Sequence, residues 1–253
     1  MSDLIERVSN SRIISDFNGV VVRSTIFKTV YVGAVFAFRN PITLPRIIQL
    51  GVLRSYELAL NSKVDEERIL RKKVSLIRNV PVGEFERLVL NSNPFEINTY
   101  FINFIVCMKK DLGVDRITIP VITRDSGDYL TYWLENTRTM QLHDNTPSGF
   151  LELYGIRLEI IANSFRVENG YYNGEIESGE KSRILFPVDP LITADKRNKY
   201  AVGNRPRVVL VDAEEYAHLS HLGYDKKMLY LINLQDKIRL DERVKKAVDF
   251  LEL

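Results

Sequence analysis

Short apolar runs alternate with longer segments of helical periodicity along much of the chain. The apolar runs cover residues 12–16, 114–123, 156–162, 207–212 and 228–233. In the second run, Ile117, Ile119 and the pair Val121 and Ile122 leave no polar face, which indicates a strand buried on both sides, as in a parallel sheet. Helical patterns follow at about 128–140 and 241–253. Strands that alternate with helices predict an α/β fold built on a doubly wound parallel sheet.

A longer helical stretch separates the first apolar run from the second. From about Pro41 to Leu112 the periodicity is helical, with Pro81 and Pro94 suited to first helical turns and Gly113 suited to a C-terminal cap. This stretch predicts an all-helical unit inserted into a Rossmann-like sheet. We therefore expect an α/β core formed by residues 1–29 and 113–253, with a helical cap formed by residues 30–112.

Composition excludes several classes of protein and partner. The chain has 253 residues, of which 45% are hydrophobic and 27% charged, and its net charge of +2 gives no reason to expect nucleic acid as a partner. No apolar run approaches the ~20 residues of a membrane-spanning helix, and the first residues lack a secretory signal pattern, so no membrane partner is expected. Cys107 is the single cysteine, which predicts a reducing, cytoplasmic compartment and a buried structural thiol.

Polar side chains end three of the predicted strands. Asp16 ends the first, Thr123 ends the second and is followed by Arg124, and Asp212 ends a later one. Ligands of open parallel sheets bind outside the carboxyl ends of the strands. Two carboxylates and a hydroxyl there suit phosphoryl transfer through an aspartyl-phosphate, assisted by a divalent cation. Two structural alternatives stay open, because a strand-ending Asp is often a turn former and Asn18-Gly19 between apolar runs is a common β-hairpin signal.

The residues around these strand ends resemble the motifs of the haloacid dehalogenase-like hydrolases. Ile-Ile-Ser-Asp16-Phe-Asn18-Gly-Val-Val resembles the first motif, and Val-Ile-Thr123-Arg resembles the second. Lys196 stands where the third motif has a lysine, with Lys199 as a competitor, and Val-Val-Leu-Val-Asp212 resembles the fourth motif. Residues 158–174 are similar to the strand, Asn and two-glycine hairpin of the phosphoserine phosphatase-like and pyrimidine nucleotidase-like members.

The resemblance implies a magnesium-dependent phosphomonoesterase that acts on a small phosphorylated metabolite. In this family the first Asp is the nucleophile, a Ser or Thr binds the transferred phosphoryl group, and a lysine balances its charge. The site residues carried over in this way are catalytic Asp16, Asn18, Thr123 and Lys196, substrate-binding Thr123, Arg124, Lys196 and Gly19, and Mg²⁺ ligands Asp16, Asn18 and Asp212.

Two motifs depart from the family pattern. Asn18 stands where the phosphatases have a second Asp, the general acid and base, and an amide exchanges no proton at physiological pH. Such catalysis is typically worth ~10²–10⁴-fold in rate, so turnover should be slow. In the fourth motif Val211 replaces a Gly and Tyr216 replaces a carboxylate, for which Glu214 or Glu215 would have to compensate.

Three functions therefore compete. The first is a slow phosphomonoesterase with altered proton handling, and the second is a catalytically lapsed relative that serves as a ligand-binding or interaction module. The third is cleavage of a carbon–halogen or carbon–phosphorus bond by Asp16, because family members of those kinds also lack the second Asp.

Other charged groups have weaker functional interpretations. His218 and His221 could share a helix face, but the sequence offers no third zinc ligand, so surface histidines are favoured. The basic run between Arg68 and Arg78 is better explained as a solvated helix face than as a phosphate contact. The backbone at 125–127 begins a helix and could either cradle an anion or be capped by its own side chains.

Overall fold

The computed structural model describes residues 11–23, 95–138, 145–176, 206–213, 229–234 and 239–252, the segment 77–84, and single positions at 45, 48, 49, 52, 71, 74, 75, 87, 216, 217 and 220. The side chains of residues 124–126, 128, 129 and 163 lie outside this description. The strands within it are β1 (Ile13–Ser15), β2 (Val22–Arg23), β3 (Glu96–Ile97), β4 (Ile117–Ser126), β5 (Ile156–Asn163), β6 (Phe165–Glu168), β7 (Tyr171–Ile176), β8 (Arg207–Val211) and β9 (Leu229–Asn233). The helices are α1 (Thr99–Asp111), α2 (Gly127–Asn136), α3 (Pro147–Leu153) and α4 (Leu240–Leu251).

The central sheet has five strands in the order β5-β4-β1-β8-β9, and every pairing in it is parallel. Counted along the chain within this sheet the order is 3-2-1-4-5, which is that of a doubly wound fold. The predicted Rossmann-like sheet is therefore confirmed. Its strands are continuous apolar runs because both faces are covered: Ile13 and Ile14, on opposite faces of β1, are 2% and 0% exposed.

One face of the sheet carries the main hydrophobic core. Phe104 of α1, Trp133 of α2 and Val244 of α4 all belong to the same buried cluster as Val208 and Leu210 of β8. Helix α1 also packs directly against α4, and Cys107 of α1 is half-buried at the margin of the cluster. The sequence assigns α1 to the cap, whereas its packing joins it to the α/β core.

The turn after β1 is not a plain β-hairpin, which was one alternative from the sequence. β1 is the central strand, and its neighbours β4 and β8 occupy both of its edges. The chain instead closes a tight turn in which the N–H groups of Val21 and Val22 donate to the Phe17 carbonyl at 3.0 and 3.2 Å. β2 then pairs antiparallel with β3, so the chain returns from the inserted segment beside the point where it left.

The inserted segment is described only in part. Its described positions are helical at 45, 48, 49, 52, 71, 74, 75, 82–84 and 87. A turn at 77–79 and strand β3 interrupt the predicted helical stretch, which is therefore not helical throughout. The segment contacts the β6–β7 hairpin, where the N–H of Asn79 donates to the Tyr172 carbonyl at 2.7 Å and the N–H of Tyr172 donates to the Val80 carbonyl at 3.0 Å.

The β6–β7 hairpin matches the two-glycine segment that the sequence resemblance singled out. Asn169 and Gly170 form its turn with φ of 52° and 81°, a conformation that favours Asn-Gly. Gly174 has φ of 82°, and a β-carbon there would lie 2.9 Å from Cβ of Arg78. The second glycine is thus required by the close approach of the inserted segment. Among the helices of the described residues, none has the length and apolar content that crossing a bilayer requires.

Candidate active site

Asp16 is held at the carboxyl end of the central strand. It follows β1 directly, and its N–H donates to the Leu210 carbonyl of β8 at 2.9 Å. The preceding Ser15 is fully buried, and its hydroxyl donates to the Asp16 carbonyl at 2.7 Å. The Asp16 residue is itself half-buried. Its backbone is therefore fixed from both sides while part of the residue reaches solvent.

The sheet register brings Thr123 and Asp212 to either side of Asp16. Ser15 lies level with Val121 of β4 and with Leu210 of β8. Asp16 is one residue beyond this level, and Thr123 and Asp212 are each two residues beyond it. With ~4.8 Å between strands and ~3.3 Å per residue, each flanking α-carbon is on the order of 6 Å from that of Asp16. Thr123 is buried, with 2% exposure, and Asp212 is half-buried. This grouping lies beside the β1–β8 boundary, where the strand order reverses and doubly wound folds bind ligands.

Asn18 and Gly19 lie in the tight turn that follows. Gly19 adopts φ of 76°, a region that favours glycine, and its N–H donates to the Val22 carbonyl at 2.8 Å. Asn18 is half-buried and forms an isolated bridge with Val22. Because the Gly19 amide is taken by Val22, Gly19 contributes mainly by shaping the turn.

The end of β4 is irregular where Thr123 lies. Ile122 is level with Ile161 of β5, but Ser126 is level with Asn163, so four steps along β4 match two along β5. Two extra residues are therefore accommodated between Ile122 and Ser126, a bulge of the kind found beside active sites, where it redirects side chains. Helix α2 begins immediately afterwards at Gly127. The side chains of residues 124–126 lie outside the description, and an anion cradle or a simple cap at this helix start stays a prediction.

Other residues singled out from the sequence either lie outside the described part of the chain or are exposed. Lys196, Lys199, His218, His221, Glu214 and Glu215 lie outside the described residues. Tyr216 is described: it is 39% exposed, and its N–H donates to the Asp212 carbonyl at 2.9 Å. It thus begins a helical turn directly after Asp212. Arg71 and Arg78 of the basic run are exposed.

Asn98 is a residue at this site that the sequence did not bring to attention. It is 7% exposed, its Nδ2 donates to the Val20 carbonyl at 2.9 Å, and its backbone N–H donates to the Val21 carbonyl at 2.9 Å. Its Oδ1 accepts from the N–H of Tyr100 at 3.1 Å, which makes it the N-cap of α1. An Asn before a helical run signals a cap, but its bond to a turn 78 residues away leaves no mark in the sequence.

Substitutions at Asn98 should separate these two roles. Asn98→Ala removes both, and we expect the free energy of unfolding to fall by about 2 kcal/mol, roughly half from the cap and half from the Val20 bond. Asn98→Ser keeps a cap acceptor and should cost about 1 kcal/mol. Urea unfolding measures both values, with Thr146→Ala at the N-cap of α3 as the matched cap-only control. A serine variant as stable as the wild type would show that the Val20 bond does not hold the turn.

Three aromatic rings pack behind the turn. Phe17, Phe95 and Trp133 meet edge to face with centroid separations of 5.5, 6.1 and 5.1 Å. Phe17 and Trp133 are 0% and 1% exposed. Such contacts stabilise the turn through burial and through ring geometry. Trp133 is also the only tryptophan of the chain, so its fluorescence can report changes next to Asp16.

The oxygen groups at this sheet edge suit magnesium. Mg²⁺ is usually held by one or two carboxylates together with water and substrate phosphate. Asp16 and Asp212, which follow neighbouring strands, and Asn18 in the turn carry oxygen groups of this kind. Within the described part of the chain, no group of three or more His, Cys, Asp or Glu side chains is placed to hold a metal. A magnesium ion held by Asp16, Asn18 and Asp212 would keep several of its waters.

Comparison with known proteins finds likeness only among solved structures. No protein-family model and no curated protein match the chain. A phospho-aspartyl intermediate analogue of phosphoserine phosphatase has 16% identity and a TM-score of 0.47, over 92% of this chain and 97% of that one. Phosphoserine phosphatase from T. onnurineus has 15% identity and a TM-score of 0.47, over 95% of each chain. Cytosolic 5'-nucleotidase IIIB bound to cytidine has 10% identity and a TM-score of 0.47, over 98% of this chain and 90% of that one.

Proposed function

We propose that the protein is a slow, magnesium-dependent phosphomonoesterase of the haloacid dehalogenase-like type, acting on a small phosphorylated metabolite. The observation that carries the proposal is the grouping of Asp16, Thr123 and Asp212 at neighbouring strand ends beside the reversal of strand order. A cytoplasmic enzyme of this kind would meet many such substrates. The net charge of +2 gives no support to a nucleic-acid substrate.

The chemistry proposed for Asp16 is nucleophilic. Its carboxylate attacks phosphorus, the bond from phosphorus to the ester oxygen breaks, and the departing alkoxide takes up a proton from water. Water then attacks the aspartyl-phosphate, its acyl-oxygen to phosphorus bond breaks, and phosphate leaves with the Asp16 carboxylate restored. The Thr123 hydroxyl would donate to a phosphoryl oxygen throughout. Bound Mg²⁺, held by Asp16, Asn18 and Asp212, would offset the negative charge that gathers there.

The amide side chain of Asn18 determines the rate of turnover that we expect. An amide can orient water and bind metal, but it cannot protonate the leaving oxygen or deprotonate the attacking water. Release of the covalent intermediate requires such a base more than its formation does, particularly for substrates with good leaving groups. The aspartyl-phosphate should therefore accumulate during turnover.

A catalytically lapsed relative is the second candidate. It is favoured by Tyr216, which stands four residues after Asp212, where the family has a carboxylate, and which is 39% exposed. Loss of both the acid and base group and a metal ligand would leave a phosphate-binding module without turnover. Magnesium binding separates the two candidates, because only the enzyme requires it.

Release of phosphate from a panel of small phosphate monoesters tests the proposal. We expect slow release that needs magnesium, stops with EDTA and is abolished in Asp212→Asn. Magnesium binding followed through Trp133 fluorescence gives a second readout. Absence of phosphate release combined with absence of magnesium binding would support the lapsed module instead.

Lys196 is proposed as the cation that faces the nucleophile and the phosphate. We expect Lys196→Met to lower kcat/KM by ~10²–10³-fold, the usual loss when a charge-stabilising group is removed from a polar transition state. Lys199→Met is the matched control and should change kcat/KM less than twofold. Equal effects of the two substitutions, or none from either, would remove Lys196 from the proposed site.

A further inference from the structure

A groove lies at the opposite end of the sheet from the candidate site. It has a volume of about 720 Å³ and is lined by Arg12, Arg116 and Arg157 and by apolar residues that include half-buried Leu112 and exposed Val114. We call it the amino-end groove, because these residues lie at the starts of β1, β4 and β5 or just before them. Thr118 in the groove and Thr123 at the candidate site are five residues apart on β4, or about 16 Å at ~3.3 Å per residue. The two places are therefore separate.

The sheet register gathers the three arginines on one face. Arg157 of β5 lies level with Thr118 of β4. Ser15 is level with Val121, so Arg12, three residues earlier, falls level with Thr118 as well. Arg116 precedes Thr118 by two residues and so shares its face. The side chains of the three arginines therefore project from the same face of the sheet, at three adjacent strands.

These guanidinium groups are open to a ligand. Arg12, Arg116 and Arg157 are exposed, and none of their side chains forms an ion pair or hydrogen bond with any residue that the structure describes. Among the described residues of the lining Glu159 is the one carboxylate, and it already has an interaction. The groove therefore carries a local excess of positive charge in a chain whose net charge is only +2.

We propose that the amino-end groove binds an organic di- or triphosphate. One guanidinium group can donate two parallel hydrogen bonds to phosphate oxygens. A ligand with several anionic groups is needed to contact arginines on three different strands. The apolar wall formed by half-buried Leu112 and exposed Val114 would contact the organic part. The volume falls within the ~300–1,000 Å³ of ordinary small-molecule sites. This ligand is distinct from the monoester substrate of the proposed function.

Calorimetric titration of the full chain with ADP in metal-free buffer tests this site. We expect binding in the micromolar to submillimolar range, little binding of adenosine, and weaker binding of inorganic pyrophosphate. The triple variant Arg12→Gln, Arg116→Gln, Arg157→Gln should weaken ADP binding at least ~10-fold, since each change removes a charged bond. Arg166→Gln, at an exposed arginine of β6 bonded to Glu168 and Glu175, is the matched control and should have no effect. Asp16→Asn should also leave ADP binding unchanged.

Three results would overturn the proposal. The first is an ADP affinity that the triple variant does not alter, and the second is no ADP binding at millimolar concentrations. The third is pyrophosphate binding as tightly as ADP, because the apolar wall would then contribute nothing. Thermal unfolding of the triple variant close to that of the wild type excludes a folding defect as the cause of lost binding. Because the binding is measured without metal or turnover, its outcome is independent of whether the protein is a phosphatase.

Discussion

Asp16→Asn should lower phosphate release by at least ~10³-fold while the protein stays folded, because the reaction loses its nucleophile. The amide is nearly the same size as the carboxylate, and the backbone of this residue is held by the Leu210 carbonyl through an N–H that the substitution keeps. The loss should therefore appear in kcat rather than in stability. Steady-state kinetics and thermal unfolding of the same preparation measure the two effects.

The matched control for this change is Asp241→Asn, at a highly exposed carboxylate in the first turn of α4. It should alter kcat by less than twofold. Retention of more than a tenth of wild-type activity by Asp16→Asn would show that phosphate is released by another group.

Asn18→Asp should raise turnover by about 10²-fold, because it supplies the missing general acid and base. The new carboxyl group would lie in the same turn, held by the bond from the Gly19 N–H to the Val22 carbonyl. The gain should be largest in hydrolysis of the covalent intermediate. Formation of the intermediate from an aryl phosphate, whose leaving group needs little protonation, should change much less.

Rapid-quench kinetics separate these two steps. The wild type should show a burst of alcohol or phenol release followed by a slow steady state, and Asn18→Asp should lose the burst as its steady state accelerates. Asn136→Asp, at the exposed end of α2, is the matched control for the added charge. A wild type that turns over at ~10 per second, and that Asn18→Asp does not accelerate, would contradict the role given to position 18.

The sheet was readable from the sequence because parallel strands buried on both faces are continuous apolar runs. The proximity of Asp16 and Asp212 could be predicted because the strand order of a doubly wound sheet places their strands side by side. Strands β2 and β3 could not be predicted, because a strand of two residues shows no periodicity. The hydrogen bond from Asn98 to Val20 and the bulge at the end of β4 could not be predicted either. Both depend on contacts with residues that are distant in the sequence.

Helices show the same contrast. Helix α3 has local signals in the sequence, Thr146 as its N-cap and Pro147 in the first turn. The membership of α1 in the core had no such signal. Its buried face (Phe101, Phe104, Ile105 and Met108) suits either a cap or a sheet, and only the packing against α4 decides between them.

Trapping the covalent intermediate tests the central claim most directly. The wild-type chain is mixed with magnesium and a small aryl phosphate and quenched in acid during turnover, and the aspartyl-phosphate is reduced with borohydride and located by mass spectrometry. We predict modification of Asp16 in a large fraction of the molecules, and little in Asn18→Asp because that variant hydrolyses the intermediate. Phosphate release with no modification of Asp16 in either protein would contradict the account.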